Sequence, residues 1–113
     1  MVEIICEKNL VHSLEKLRIW ERKNLPLCRT ISGYDLFMTL VSSPVHKEIK
    51  LKNIYNSLPY SEKTLRTLLK DLESDGWITM PKKYKDKRVR VINLTEKFHD
   101  KISSWKMMIE QII

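Results

Sequence analysis

The stretch from Leu51 to Thr95 constrains the fold more than any other part of the chain. Leu51, Ile54, Tyr55 and Leu58 fall on one helical face. Pro59-Tyr60 breaks that pattern, and Ser61 then offers an N-cap while Glu62 suits the positive end of a new helix. Leu65, Leu68, Leu69 and Leu72 give this second helix an apolar stripe. Lys63, Arg66, Thr67 and Lys70 repeat the same spacing on its other side. One side therefore belongs to a core, and the other presents cations and hydroxyls. Asp75-Gly76 closes the helix, with Gly76 suited to a left-handed C′ position.

The segment after Gly76 narrows the fold class. Trp77-Ile78-Thr79-Met80-Pro81 reads as a short strand and Val89-Arg90-Val91-Ile92-Asn93-Leu94 as its partner. Between them, Lys82-Lys83-Tyr84-Lys85-Asp86-Lys87-Arg88 carries five cations and one acid. No core buries so many charges, so the hairpin must project into solvent or onto a polyanion. Two helices across a tight turn, then a basic hairpin, is the sequence form of a winged helix-turn-helix DNA-binding domain. The expected class is mainly α with a small β-hairpin (α+β), carrying flanking N- and C-terminal helices.

The 113 residues suit a single domain, and a net charge of +7 predicts attraction to phosphate. Two cysteines, Cys6 and Cys28, are too few for a disulfide framework and fit a reducing cytoplasm. Met1-Val2-Glu3 opens without a basic, apolar leader, so no signal peptide is expected. No apolar run nears the ~20 residues of a membrane span, so no membrane partner is expected. His12, His46 and His99 lie far apart without metal-ligand spacing, and neither a metal nor a cofactor is expected. There is no glycine-rich phosphate loop and no nucleophile beside an obvious base, which disfavours an enzyme.

Taken in order, residues 8–29 hold a first helix, from about Lys8 to Lys23, and a connector at Leu25-Pro26-Leu27. Leu10, Leu14 and Leu17 form its apolar stripe, with Val11 and Trp20 on the shoulders. Residues 30–94 hold the winged helix-turn-helix. It begins with a helix opened by Ser32-Gly33 and running from Tyr34 to Ser42, almost without a polar side and therefore central. His46 to Lys50 is a polar connector with room for one short strand. In residues 95–113 a C-terminal helix starts near Thr95. Phe98, Ile102, Trp105, Ile109 and Ile112 are spaced 4, 3, 4 and 3 along it, a heptad stripe. A homodimer through this stripe and Leu10, Leu14 and Leu17 is the economical reading. In the competing reading the stripe folds back onto the first helix of the same chain.

From about Ser32 to Lys97 the chain resembles the MarR-type family of winged-helix transcriptional regulators. The run Ser61 to Ile78, the wing Asp86-Lys87-Arg88 and the exit Asn93-Leu94-Thr95-Glu96-Lys97 carry the likeness. Asp86 and Arg88 match the family's Asp-x-Arg. Leu94, Thr95 and Lys97 match its Leu-Thr-x-Lys-Gly, with Phe98 where the glycine usually stands. The resemblance implies a sequence-specific regulator of double-stranded DNA, acting as a homodimer. The helix after Ser61 would enter the major groove, Arg66 reaching guanine with Thr67 and Lys63 beside it. Ser61 and Thr64 would bond phosphate, and Lys70 also suits a phosphate better than a base. Arg88 would enter a narrow minor groove, oriented by Asp86, while Lys82, Lys83, Lys85, Lys87 and Arg90 contact the backbone. No residue pattern names a small-molecule effector. The competing function is a winged helix used for protein contacts, or as an accessory nucleoprotein module in replication or a mobile element.

Overall fold

The computed structural model describes residues 2–43, 48–83 and 86–112, the side chains of 2–8, 82–83 and 86–89 excepted. Helix α1 spans Val2–Asn24. It starts earlier than the leucine stripe predicts, because Val2 to Glu7 contain no proline or glycine to stop it. A 3-10 turn, Pro26–Arg29, takes up the connector, with Leu27 and Cys28 buried. Helix α2, Ile31–Ser42, begins ahead of Ser32-Gly33 because the Thr30 side chain caps it by accepting from the Gly33 amide at 3.0 Å. Leu36, Phe37 and Leu40 are at most 1% exposed, which makes α2 the central helix, although Met38 on its outer side reaches solvent.

Strand β1 is Ile49–Lys50, and α3 runs Leu51–Ser57 directly after it. Helix α4 is Glu62–Ser74. Strands β2 (Ile78–Thr79), β3 (Lys82–Lys83) and β4 (Asp86–Leu94) come next, and α5, Glu96–Ile112, closes the chain. All pairing is antiparallel, with β4 at the centre. Its C-terminal half lies between β1 and β2, with Ile49 opposite Ile92 and Ile78 opposite Leu94. Its N-terminal half pairs with β3 to form the hairpin. The sheet thus ties the segment before the helix-turn-helix to the segment after it.

The core is aromatic at its centre. Phe98 stacks 6.1 Å from Phe37 and meets Trp77 edge-on at 5.7 Å, while Trp105 meets Phe37 edge-on at 5.1 Å. Phe98, at the position of the family's usual glycine, therefore plugs the space between α2 and the start of β2. Gly33 has a packing role of another kind. A Cβ there would lie 2.0 Å from the Leu27 carbonyl oxygen, so only glycine lets α2 start against the 3-10 turn.

The molecule is long for its mass. Its radius of gyration is 16.3 Å and its long axis 59 Å, whereas a compact chain of this length has a radius of ~13 Å. A helix of α1's length measures ~34 Å, and its N-terminal half protrudes. Leu10, Val11 and Leu14 stand 45–58% exposed on it. No helix among the described residues is long and apolar enough to cross a membrane.

Candidate nucleic-acid interface

The candidate surface is built on α4. Ser61 caps the helix, its Oγ accepting from the Thr64 amide at 3.1 Å, and Ser61 Oγ and Thr64 Oγ1 lie 2.9 Å apart. Leu65, Leu69 and Leu72 are buried and Leu68 is half-buried. Lys63, Arg66, Thr67 and Lys70 are all exposed. The two faces expected from the spacing are therefore the two faces in space.

Both ends of α4 are anchored by neighbours far away in sequence. Before it, the Tyr60 hydroxyl donates to Asp35 Oδ2 at 2.5 Å and pins the inter-helix turn to α2. That bond and the burial around it push the Tyr60 hydroxyl above its ordinary pKa. After α4, Gly76 adopts a φ of +79°, the left-handed turn expected of it. The Thr95 hydroxyl donates to the carbonyls of Gly76 (2.7 Å) and Trp77 (2.9 Å). Lys97 Nζ donates to the Asp75 carbonyl at 2.8 Å and sits 4.4 Å over the Trp77 ring. The Leu-Thr-x-Lys exit is thus a clamp on the end of α4.

On the free side, Arg66 Nη2 donates to Glu62 Oε1 at 2.6 Å, one turn back. The nearby Tyr55 hydroxyl of α3, together with the Glu62 carboxylate, pushes this guanidinium still higher in pKa. Tyr55, Glu62, Arg66 and Lys70 line a notch of about 280 Å3, which Arg90 of β4 enters from the sheet. Two α4 cations thus meet a hairpin cation here. The side chains of Lys82, Lys83, Asp86, Lys87 and Arg88, and all of Lys85, lie outside the described residues, as does His46.

A family model for the transcriptional regulators SarA and Rot matches residues 30–105. That span runs from the cap of α2 into α5. The chain belongs to the SarA/Rot family of transcriptional regulators. A search of curated proteins finds no significant match. Solved structures agree in fold. AbfR of Staphylococcus epidermidis is 25% identical, over 99% of this chain and 74% of its own, at a TM-score of 0.62. Reduced AbfR bound to DNA is 25% identical over 99% and 81%, at 0.61. MarR is 17% identical over 94% and 76%, also at 0.61, and shares the fold alone. The MarR-type winged helix-turn-helix read from the exit and wing residues is the fold of this SarA/Rot-family chain.

The residues expected on a dimer face divide. Leu17, Phe98, Ile102 and Trp105 are each at most 8% exposed, spent in the chain's own core. A side chain so enclosed has no area left for a second copy, so these four are corrected to core residues. The heptad stripe folds back onto the domain over that length. Leu10 and Leu14 are exposed, and Ile109 and Ile112 half-buried.

Glu62 and Tyr55 escaped the sequence reading, one as a helix-end acid and the other as a core-face aromatic. Glu21 escaped it too. It is 1% exposed, and its Oε2 accepts from Trp105 Nε1 at 2.9 Å. Among the described residues its Oε1 has no hydrogen-bond partner, although Arg18 lies 3.6 Å away, close enough for charge attraction only. Beside it, burial and then the Glu21 carboxylate push the Cys28 thiol up to about 12, which keeps it protonated at neutral pH. The side chain of Cys6 lies outside the described residues. Among the described residues no cluster of three or more His, Cys, Asp or Glu is placed to hold a metal.

Proposed function

We propose that this chain is a sequence-specific regulator of double-stranded DNA, acting as a homodimer. Helix α4 enters the major groove and the β3–β4 hairpin reaches the flanking minor groove. One observation carries the reading: the cations and hydroxyls spaced along α4 face solvent while its leucines turn inward. Arg66 is the base reader, its fork matching guanine O6 and N7, with Lys63 and Thr67 beside it. Ser61, Thr64 and Lys70 take phosphate oxygens, and the hairpin residues Lys82, Lys83, Lys85, Lys87 and Arg90 follow the backbone. Arg88, oriented by Asp86, takes the minor groove. AbfR, a structural neighbour at 25% identity, has been solved bound to DNA, which supports this docking.

The homodimer reading rests on the protruding part of α1. Leu10, Val11 and Leu14 form an apolar surface that their own chain does not cover, and a two-fold partner is the common way to bury such a surface. Ile109 and Ile112, half-buried near the end of α5, can join it. Two copies would set their α4 helices about one turn of DNA, ~10 bp, apart on a pseudo-palindrome.

Binding to genomic fragments and to a random duplex, measured at about 50 and 200 mM salt, tests the reading. A regulator keeps its preference for some fragments as salt rises, and Arg66→Ala lowers affinity for them roughly 5- to 150-fold. Weak binding without preference, collapsing with salt, would leave only an accessory or scaffolding role.

A further inference from the structure

The solvent side of α4 bears cations and hydroxyls suited to DNA, yet it also carries an acid. Glu62 is 58% exposed, and its carboxylate holds Arg66, itself 54% exposed. As a helix stabiliser such an exposed i,i+4 pair contributes little. Near phosphates the carboxylate is repelled. The pair therefore calls for a reason other than stability.

We propose that Glu62 is a specificity-determining positioning residue, which orients the Arg66 guanidinium for one base edge and keeps it from acting as a generic phosphate contact. This rests on the DNA-binding reading. A guanidinium has five N–H donors in one plane. Glu62 takes one, at 2.6 Å. Four remain, and guanine O6 and N7 need two. The anchor and the base can thus be engaged together, while Tyr55 of α3 walls the same notch. The ion pair also has no net charge, so Arg66 releases few counterions on random DNA. Lys70 and Arg90 share the notch, and among the described residues no ion pair engages either, so they supply the phosphate attraction.

Wild type, Glu62→Gln and Tyr55→Phe are compared on a selected genomic site and on a random duplex over a range of salt. Both substitutions keep side-chain size at partly exposed positions, and circular dichroism melts verify the fold. Glu62→Gln is expected to bind the random duplex more tightly, with a salt slope steeper by about 0.9. Its site-to-random ratio falls roughly twofold to tenfold, the cost of immobilising one rotamer-rich side chain. Tyr55→Phe changes no charge and keeps the ring that walls the notch, so its slope and ratio both stay at the wild-type values. A ratio unchanged in Glu62→Gln overturns the inference. So does an altered preference at a neighbouring base with the Arg66-dependent position intact, which would make Glu62 a base reader itself. A wild type with no sequence preference refutes the DNA-regulator reading and this inference with it. A wild-type preference that Glu62→Gln leaves undisturbed removes the inference alone.

Discussion

Replacing Trp105 by phenylalanine tests how α5 is fastened to α1. The indole Nε1 donates to Glu21 Oε2 at 2.9 Å, bridging residues 84 positions apart. The carboxylate is 1% exposed, and among the described residues its other oxygen already lacks a hydrogen-bond partner. Trp105→Phe therefore leaves a buried charge with no hydrogen bond to either side-chain oxygen. A bond to a charged group contributes about 1.5–3 kcal/mol, and the vacated five-membered ring adds roughly 1 kcal/mol of lost packing. Arg18 compensates little, since it lies 3.6 Å away and half in solvent. The expected loss of about 2.5–4 kcal/mol is a large part of the ~5–15 kcal/mol typical of a domain. Urea unfolding followed by far-ultraviolet circular dichroism, at fixed protein concentration, should show the midpoint lowered by more than ~1 M. The decisive measurement is the cycle with Glu21→Leu, which removes the charge as well. The double variant should regain about 1–3 kcal/mol relative to the sum of the singles. Additivity within ~0.5 kcal/mol would refute the claim that this bond compensates for burial of the carboxylate.

Gly33→Ala should cost at least ~3 kcal/mol or prevent folding, because the new Cβ meets the Leu27 backbone carbonyl. Gly76→Ala should cost only ~1–2 kcal/mol, since its Cβ meets nothing and only the positive φ resists it; equal melting shifts would contradict this contrast. In a Cys6→Ser background, Cys28 should resist Ellman's reagent at neutral pH until urea is added. Its folded pKa of about 12 exceeds the ordinary 9.0, so its contribution is whole below pH 9 and is lost as pH rises toward 12. Cys28→Ala should flatten the decline in stability over that alkaline window, and an unaltered decline would count against it. Leu10→Glu with Leu14→Glu should yield folded monomers in sedimentation velocity, since both side chains are exposed in the single chain. A dimer that survives would move the interface elsewhere.

Where sequence and structure agree, the residues act locally. The cap at Ser61, the turn at Gly76 and the leucine spacing of α4 depend on backbone sterics and periodicity within a few residues. Periodicity also marked Phe98, Ile102 and Trp105 as an apolar stripe, but it carries no information on which surface covers a stripe. The same spacing serves a second chain or the chain's own α1 and α2, and here the core claims those three side chains. Pairings across long separations left no trace in the spacing. Tyr60 with Asp35, Trp105 with Glu21 and Lys97 with Trp77 each join residues that no helical or strand period relates.

By itself the sequence determined the element types, the winged helix-turn-helix order and the cationic side of α4, because these come from local propensity and from charges too numerous to bury. Tertiary structure alone decided the partner of each apolar stripe, and it set a tyrosine of α3 on the wall of the notch that Arg66 lines. It also enclosed one carboxylate between α1 and α5. The reason is physical: desolvation depends on everything that surrounds a group, and most of those surroundings come from distant parts of the chain.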